Sequence, residues 1–392
     1  MRKTINIGDL GTIITGKTPP TTNKNYYGDY AVFIKPTDIS EHSKYTYETE
    51  EMYSKLAAEK YESSLIPKGA ICVPCIGTIG TKMTMTPCDC YTNQSINSII
   101  CNENYDNEYV YYLIKNFLPG LKAYNLGTAS GREYVSKSNF EKIELVAEQD
   151  QEIQKKIGII LSRYDSLIEN YQKQIKLLEE AAQRLYKEWF VDLRFPGHEN
   201  TKIVDGVPEG WEKKRLIDLV DVQYGYAFDG KLFNSSGEGM PILRIRNIPD
   251  GITSDYTTEE AQDCYIVHNG DIVVGMDGIF HINSWSGGDA YLVQRACSFR
   301  PKEECMKGFI FQAIQEPIKF FEKTLVGATV AHLGKKHIDS IELCIPKNFE
   351  LYKPFSKFYN QRQGLLSQIR LLTEARDRLL PKLMSGEINV ES

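Results

Sequence analysis

Residues 157–189 read IGIILSRYDSLIENYQKQIKLLEEAAQRLYKEW, and this stretch decides the fold. Apolar and aromatic side chains recur there at steps of mostly three and four, without proline and without glycine after Gly158. This heptad-like spacing predicts one long amphipathic helix. A helix of ~36 residues is ~54 Å long, so we expect it to act as a spacer. The pairing positions include Tyr164, Tyr171, Ile175, Leu178, Leu185 and Trp189, with Leu167 between the first two.

A second amphipathic pattern begins near Phe355 and matches the first position by position. Its pairing residues are Leu365, Ile369, Leu372 and Leu379, which correspond to Tyr171, Ile175, Leu178 and Leu185. Pro381 is expected to end or kink this helix near its last turn. Two matched seams most simply pack against each other, antiparallel if the copies are related by a two-fold axis. The alternative is two independent helices, each docked on its own domain, but seams this long would then be exposed and prone to aggregation.

The segments that precede the two helices also resemble each other, which indicates a tandem duplication. Phe33–Ile39 is echoed by Ile242–Ile248, and Gln94 is echoed by Gln294. Short β-branched runs punctuated by Gly, Pro and Asn predict strands in both copies. We therefore expect an α+β fold in which two pseudo-symmetric mixed α/β domains are separated by two long antiparallel, coiled-coil-like helices. The predicted segments are 1–149 for the first domain, 150–195 for the central helix, 196–347 for a linker and the second domain, and 348–392 for the last helix.

Composition bounds the class of protein. The 392 residues carry 42% hydrophobic and 25% charged side chains, as in ordinary globular proteins. The formal net charge of -6 gives no electrostatic footprint of a nucleic-acid binder. Nine cysteines, an odd number, are more typical of a reducing cytoplasm than of a disulfide framework. Because no apolar run approaches ~18 residues, we expect neither a membrane span nor a signal peptide.

Motifs that suggest catalysis fail on their context. Gly11–Thr18 matches the phosphate-loop pattern, but Pro19 and Pro20 follow at once and remove two backbone donors. Cys72 and Cys75 resemble half of a zinc site, yet their counterparts in the second copy are apolar, which favours buried free cysteines. An adenine methyltransferase needs an aromatic residue beside an Asn-Pro-Pro or Asp-Pro-Pro turn, and the sequence has none. We expect no catalytic site, no metal and no cofactor on this chain.

Basic and polar residues in the loops are the remaining candidates for function. Arginine and lysine can bond guanine edges or phosphates, so these residues together favour DNA binding, although any single one is more often a solvated charge. Lys35 and Arg244, and likewise Lys137 and Lys335, stand near equivalent positions of the two copies. The candidates are Lys17, Thr18, Lys35, Lys82, Arg132 and Lys137 in the first copy, and Arg244, Arg246, Arg295, Lys335 and Lys336 in the second.

Several motifs in this order resemble the specificity subunit of type I restriction-modification systems, over essentially the whole chain. They are Gly16–Pro19, Phe33–Lys35 with Asp38–Ile39, Gly77–Gly80, Asn93–Gln94, Leu185–Phe190 continuing into Val191–Asp192, Pro208–Trp211 and Leu379–Ile388. The resemblance implies that each half is a target recognition domain that reads one part of a split site in double-stranded DNA, while the helices fix the separation. The second copy departs from the pattern at Tyr226–Phe228 and Asp277–Phe280, which suits a different half-site and an asymmetric site.

The resemblance also implies partners. Two methyltransferase (modification) subunits would carry S-adenosylmethionine and methylate adenine, and restriction subunits would add an ATP-dependent translocase and nuclease. Two other classes of function stay open from the residues alone. The chain could be an interaction scaffold that binds no DNA, or it could be the detachable reader of a system whose methyltransferase and nuclease are fused in another polypeptide.

Overall fold

The computed structural model describes residues 1–127, 131–325 and 331–390. The chain forms two compact units, the first made of Met1–Glu169 with Leu371–Ser392 and the second of Asn170–Arg370. Both units mix strands and helices, which confirms the predicted fold class. Within the described ranges, no helix is long and apolar enough to cross a membrane.

In its described residues, the first unit contains eleven strands, three short helices and the start of a long helix. Asp150 caps the long helix, because its Oδ1 accepts a hydrogen bond of 2.9 Å from the backbone N–H of Glu152. The strands are β1 Arg2–Asn6, β2 Gly11–Thr15, β3 Tyr27–Ile34, β4 Met52–Tyr53, β5 Ile71–Pro74, β6 Ile76–Gly77, β7 Thr84–Met85, β8 Tyr91–Thr92, β9 Ile96–Cys101, β10 Glu133–Tyr134 and β11 Glu144–Glu148. The helices are α1 Lys55–Lys60, α2 Asn107–Phe117, α3 Lys137–Glu141 and α4 Gln151–Tyr186.

The second unit repeats this plan, and the part of it that the structure describes has thirteen strands and four short helices before the second long helix. The strands are β12 Ile203–Val204, β13 Val207–Pro208, β14 Trp211–Arg215, β15 Val220–Tyr224, β16 Phe233–Asn234, β17 Met240–Leu243, β18 Tyr256–Thr257, β19 Ile266–Val267, β20 Ile272–Gly275, β21 Ile282–Ser284, β22 Ala290–Leu292, β23 Ala296–Pro301 and β24 Glu342–Pro346. The helices are α5 Leu216–Leu219, α6 Lys307–Ala313, α7 Gln315–Thr324, α8 Lys335–Asp339 and α9 Lys353–Ser385.

Sheet topology shows the duplication directly. The first unit has an antiparallel sheet in the order β2-β9-β5-β7, and the second has β15-β23-β20-β21 in the same roles. A second sheet in each unit contains one parallel pair, β3 with β8 and β17 with β22. Strand β1 pairs with β11 as β14 pairs with β24, which joins the beginning and the end of each sheet-rich segment. The predicted internal repeat is therefore a repeat of fold.

The long helices run antiparallel within each unit, as the matched seams predict. In the first unit, Ile157 and Leu161 of α4 share a core with Leu380 and Leu383 of α9. In the second unit, α4 is followed by a wide π-type turn, Lys187–Val191, whose aromatic residues pack against the start of α9. Tyr186, Trp189 and Phe190 all contact the ring of Phe355, with centroid distances of 5.6–6.3 Å.

Helix α4 buries a slightly different face from the predicted one. Tyr164, Tyr171, Ile175, Leu178 and Leu185 are half-buried, as are Leu365, Ile369, Leu372 and Leu379 in α9. Leu167, however, is 45% exposed, and its neighbour Ile168 is buried instead. The alternation of three- and four-residue steps leaves the choice between adjacent apolar residues open, so the sequence alone does not distinguish Leu167 from Ile168.

Helix α9 does not end at Pro381 but continues to Ser385. Leu380, Leu383 and Met384 are buried beside it, so packing holds this last turn. In addition, the Arg2 guanidinium donates hydrogen bonds of 3.0 and 3.1 Å to the carbonyls of Met384 and Leu383. These bonds satisfy carbonyl groups that a helix end leaves without partners.

Candidate nucleic-acid interface

The same hydrogen-bonded framework of loops is built once in each unit. The backbone N–H of Lys17 donates to the carbonyl of Thr92 at 2.9 Å, and that of Tyr226 donates to Leu292 at 2.9 Å. Gly16 and Gly225 precede these residues, and an added Cβ at either would lie 2.1 Å from a backbone oxygen. Both glycines are therefore required by close backbone approach.

Two further pairs of backbone hydrogen bonds show which other residues of the two units are equivalent. Asn93 donates to the carbonyl of Ile34 at 3.1 Å, and Val293 donates to that of Leu243 at 3.0 Å. Because Lys35 and Arg244 follow these carbonyl residues, they occupy the same place in the two frameworks. Likewise, Val135 donates to Cys75 at 2.9 Å and Leu333 to Met276 at 2.7 Å, so Lys137 and Lys335 are the first residues of equivalent helices, α3 and α8.

In the first unit, the turn that carries Lys17 and Thr18 is exposed and well anchored. The hydroxyl of Tyr53 donates to the carbonyl of Lys17 at 2.5 Å, and that of Tyr27 donates to the carbonyl of Pro19 at 2.9 Å. The Thr18 hydroxyl hydrogen-bonds the side-chain oxygen of Gln94, which is also exposed. The structure thus places Gln94 beside two of the sequence-predicted residues.

The ammonium group of Lys35 forms ion pairs with two carboxylates. Its Nζ lies 2.7 Å from Glu50 and 3.3 Å from Glu51, and its side chain is only 20% exposed. Partial burial opposes the charge, but the hydrogen bonds to Glu50 and Glu51 outweigh it and raise the pKa of Lys35. A ligand at this position must therefore compete with two carboxylates.

The other predicted residues of the first unit lie on separate segments. Lys82 is half-buried before β7, and Arg132 is exposed before β10. Lys137 is exposed in the first turn of α3, where its Nζ lies 3.6 Å from Glu141. These three residues lie on three separate segments: the loop before β7, the loop before β10, and helix α3.

The second unit brings three predicted arginines together. A concave surface of about 420 Å³ is lined by Phe228, Gly230, Phe233, Arg244, Ile245, Arg246, Val293, Gln294 and Arg295. The Arg244 guanidinium lies over the ring of Phe233, 5.3 Å from its centroid, which holds the cation in place. Arg246 binds Asp255 through two nitrogens, the shorter distance being 2.6 Å. Lys335 and Lys336 are exposed in the first turn of α8.

Arg295 has the most distinctive surroundings of the three arginines. Its Nε lies 3.3 Å from Oδ2 of Asp277, and the other carboxylate oxygen lies 2.5 Å from Nδ1 of His332. The side chains of Arg295 and His332 are 68% and 61% exposed, whereas that of Asp277 is 21% exposed. Asp277, which is mostly buried, therefore binds two exposed side chains, one through each of its carboxylate oxygens.

The cysteines do not form a metal site. Cys72 and Cys75 are buried, and burial raises the pKa of each thiol to about 12. A thiol must lose its proton to bind zinc, so this environment opposes a metal. Among the described residues, no group of three or more His, Cys, Asp or Glu side chains could hold a metal ion.

The candidate DNA-binding residues chosen from the sequence leave out two parts of this surface. Gln94 and Gln294 recur at equivalent positions and are exposed in both units, a signal that the repeat itself contained. Asp277 gave no comparable signal, because its contacts with Arg295 and His332 join residues that are far apart in the chain.

Comparison with known proteins identifies the class to which this framework belongs. The family described as the type I restriction modification DNA specificity domain matches residues 2–180 and again residues 208–370. The chain belongs to this family, which confirms the resemblance noted in the sequence. Its role is therefore the recognition of DNA sequence within a type I restriction-modification system.

Individual relatives agree with this assignment. The chain is 27% identical to the type I restriction enzyme MjaIX specificity subunit of Methanocaldococcus jannaschii, over 98% of this chain and 93% of that protein. It is 36% identical to the HindI specificity subunit of Haemophilus influenzae over 40% of this chain and 35% of that one. The crystal structure of the S subunit from M. genitalium covers 98% of this chain and 96% of its own, at a TM-score of 0.54 and 16% identity, and shows the same fold.

Proposed function

We propose that the chain reads a bipartite, asymmetric DNA site, with one half read by each unit, and thereby directs adenine methylation or cleavage by partner subunits. The observation that supports this is the pair of matched frameworks with different side chains. Lys17 and Lys35 of the first unit are replaced by Tyr226 and Arg244 in the second. A matched backbone framework that displays different side chains suits two readers of different sequences.

The reading surface in this proposal consists of the exposed loops of each framework. Arginine and lysine bond guanine, glutamine bonds adenine, and any of the cations can hold a phosphate. The recognition domains correspond to residues 1–149 and 196–347, and the helical segments to 150–195 and 348–392. We assign the contacts to Lys17, Thr18, Lys35, Lys82, Arg132 and Lys137 in the first domain and to Arg244, Arg246, Arg295, Lys335 and Lys336 in the second.

The chain in this proposal is a non-catalytic subunit that acts in the cytoplasm. Its partners are double-stranded DNA, two methyltransferase subunits that bind S-adenosylmethionine, and restriction subunits that hydrolyse ATP. The half-buried residues of the two long helices offer a surface to the methyltransferase subunits. The net charge of -6 is then understandable, because the partners supply much of the phosphate contact and this chain reads base edges.

A scaffold that binds no DNA is the alternative, and it predicts basic residues scattered over the surface. In the second unit, by contrast, Arg244, Arg246 and Arg295 line one concave surface together with Gln294. This concentration of guanidinium groups beside an amide supports recognition of nucleic acid.

Methylation mapping tests the proposal. The chain is produced together with its methyltransferase subunits, and methylated adenines are located in the host genome by sequencing. We expect one split, asymmetric motif that disappears when this chain is deleted. Replacement of residues 1–149 by those of a relative should change only one half of the motif. A motif that survives the deletion, or that changes in both halves after the replacement, contradicts the proposal.

A further inference from the structure

Arg295 occupies a constrained position between β22 and β23. Its carbonyl accepts a hydrogen bond of 2.8 Å from the backbone N–H of Met276, and the carbonyl of Met276 accepts one of 2.7 Å from Leu333. Three loops are thus joined at their backbones, and each contributes one of the side chains Arg295, Asp277 and His332. The arrangement is part of the framework and does not depend on one mobile loop.

The backbone of Arg295 is itself strained. Its φ angle is +69°, in the left-handed region that residues other than glycine seldom adopt. The equivalent residue of the first unit is Ser95, whose carbonyl accepts the matching bond of 2.7 Å from Cys75. A glycine would fit the second unit with less strain, yet an arginine stands there. Strain of this kind is retained mainly where the side chain has a use.

The contact with Asp277 determines how the guanidinium can bind a ligand. The carboxylate engages Nε, which leaves the end of the guanidinium with its two terminal amino groups for another partner. Two parallel N–H donors match the O6 and N7 acceptors that guanine presents in the major groove. A carboxylate behind the arginine also reduces the rotational freedom that binding would otherwise remove. Phosphate binding needs no such fixed orientation.

The equivalent positions of the first unit, all of them described by the structure, carry different residues. The residues equivalent to Asp277, Arg295 and His332 are Ile76, Ser95 and Tyr134, because β6 pairs Ile76 with Tyr134 just as Asp277 bridges to His332. None of the three can form the anchored cation. The arrangement of Asp277, Arg295 and His332 is therefore specific to the half-site that the second unit reads.

We infer that Arg295, oriented by Asp277, reads one guanine base in the half-site recognised by the second unit. This inference rests on the proposed function and adds to it the identity of one base and of the residue that selects it. Asp277 is a positioning residue, since it acts through Arg295. His332 holds the second oxygen of Asp277 and fixes the carboxylate plane.

The test uses the full chain in complex with its methyltransferase subunits and a plasmid library randomised in the second half-site. Methylation at each variant site is measured by sequencing. The native complex should require guanine at one position, and Arg295→Ala should reduce that preference roughly 5- to 150-fold while the other positions keep theirs. Arg295→Lys should retain methylation but relax the base preference, because an ammonium group is a point charge. Asp277→Asn should cause a smaller, partial relaxation.

Two variants separate recognition from folding. Arg295→Gly removes the strained side chain, so the melting temperature should stay equal or rise while the guanine preference is lost. Arg215→Ala is the matched control, since Arg215 is 55% exposed and pairs with Asp218 on another part of the same unit. The control should leave the motif unchanged.

The outcomes are distinguishable. If Arg295→Ala and Arg295→Gly keep the native guanine preference, the inference is overturned while the proposed function stands. If they weaken methylation equally at all sites, Arg295 is a phosphate contact and the inference is again overturned. If the native complex shows no sequence preference that depends on this chain, the proposed function itself fails.

Discussion

Arg376 of α9 places its guanidinium on the carboxylate of Asp165 in α4, and both side chains are more than nine-tenths buried within the first unit. The second oxygen of Asp165 accepts a hydrogen bond from the Tyr112 hydroxyl, and Arg376 also lies 2.8 Å from Asp377. The charges are thus paired and hydrogen-bonded. A buried pair of this kind contributes little net stability but opposes every packing that separates its partners.

Removal of one partner of this pair should destabilise the first unit strongly. Arg376→Met leaves Asp165 charged and buried, and we expect a loss of about 3–5 kcal/mol in the free energy of unfolding. The double variant Asp165→Leu with Arg376→Met removes both charges and should recover most of the loss. Urea denaturation, followed by circular dichroism, measures both. Arg378→Met, at an exposed position two residues along, is the control, and a loss as large as that of Arg376→Met would refute the explanation.

Lys115 should make stability depend on pH between about 8 and 10.5. Burial, and then the nearby Arg376, lowers its pKa from 10.5 to about 8. Below pH 8 the Lys115 amine is charged in both the folded and the unfolded chain. The folded chain then carries the full free-energy cost of burying that charge. Between these values the unfolded chain retains a proton that the folded chain has lost, so stability rises with pH. Lys115→Met should therefore stabilise the protein at pH 7, by at most about 3 kcal/mol.

The advantage of Lys115→Met should disappear as the pH approaches 10.5. The melting temperatures of Lys115→Met and of the native protein are measured across this pH range. Their difference isolates the effect of Lys115, because the titration of other groups affects both proteins equally. Lys122→Met, at an exposed position nearby, should show no such trend. A constant difference between Lys115→Met and the native protein would show that the ammonium group is not the cause.

Two glycines in the second unit should respond to alanine in opposite directions. A Cβ at Gly308 would lie 2.1 Å from the carbonyl oxygen of Phe355, so Gly308→Ala must push α6 away from α9. We expect a loss of about 1–3 kcal/mol from this overpacking. Gly364, inside α9, has nothing within 4 Å of an added Cβ, so Gly364→Ala should raise stability by about 0.5–1 kcal/mol. Thermal unfolding measures both, and equal effects would contradict the close approach of α6 and α9.

The isolated chain should bind its DNA site weakly and with a shallow dependence on salt. Its net charge is -6, so few phosphates are neutralised by this chain alone. In complex with the methyltransferase subunits, the affinity should rise and the slope of log K against log salt should steepen. Fluorescence anisotropy with a labelled duplex measures both slopes. Tight binding with a steep slope by the purified chain alone would overturn this view of how phosphate contacts are divided.

Much of the fold followed from periodicity. The two long helices, the mixed α/β units and the repeat were all predicted, because each rests on local spacing or on the similarity of two segments. The choice of Ile168 over Leu167 was not predicted, since the spacing fits either of these adjacent apolar residues. The continuation of α9 past Pro381 was not predicted either, since contacts with residues distant in the chain hold its last turn. The buried pair of Asp165 and Arg376 was also missed, because charged residues within an amphipathic helix ordinarily indicate its solvent face.

The equivalent positions of the candidate residues in the two units could be predicted from the sequence, but the ion-pair partners of their side chains could not. The equivalence of Lys35 with Arg244 follows from the sequence repeat, and the backbone hydrogen bonds bear it out. That Lys35 is held by Glu50 and Glu51, and Arg246 by Asp255, required coordinates, since these partners are drawn from separate segments. Which of these cations contacts DNA remains a prediction.

The hydrogen bonds from Arg2 to the end of α9 join the two ends of the described chain within one unit. The second unit is one uninterrupted stretch, Asn170–Arg370, whereas the first needs Leu371 onward as well. A ribosome therefore delivers every residue of the second unit before the end of α9 that belongs to the first unit, Leu371 onward, has emerged. Until then the contacts of Ile157 and Leu161 with Leu380 and Leu383 cannot form. We therefore expect a chaperone that shields apolar surface during translation to improve the yield of folded protein.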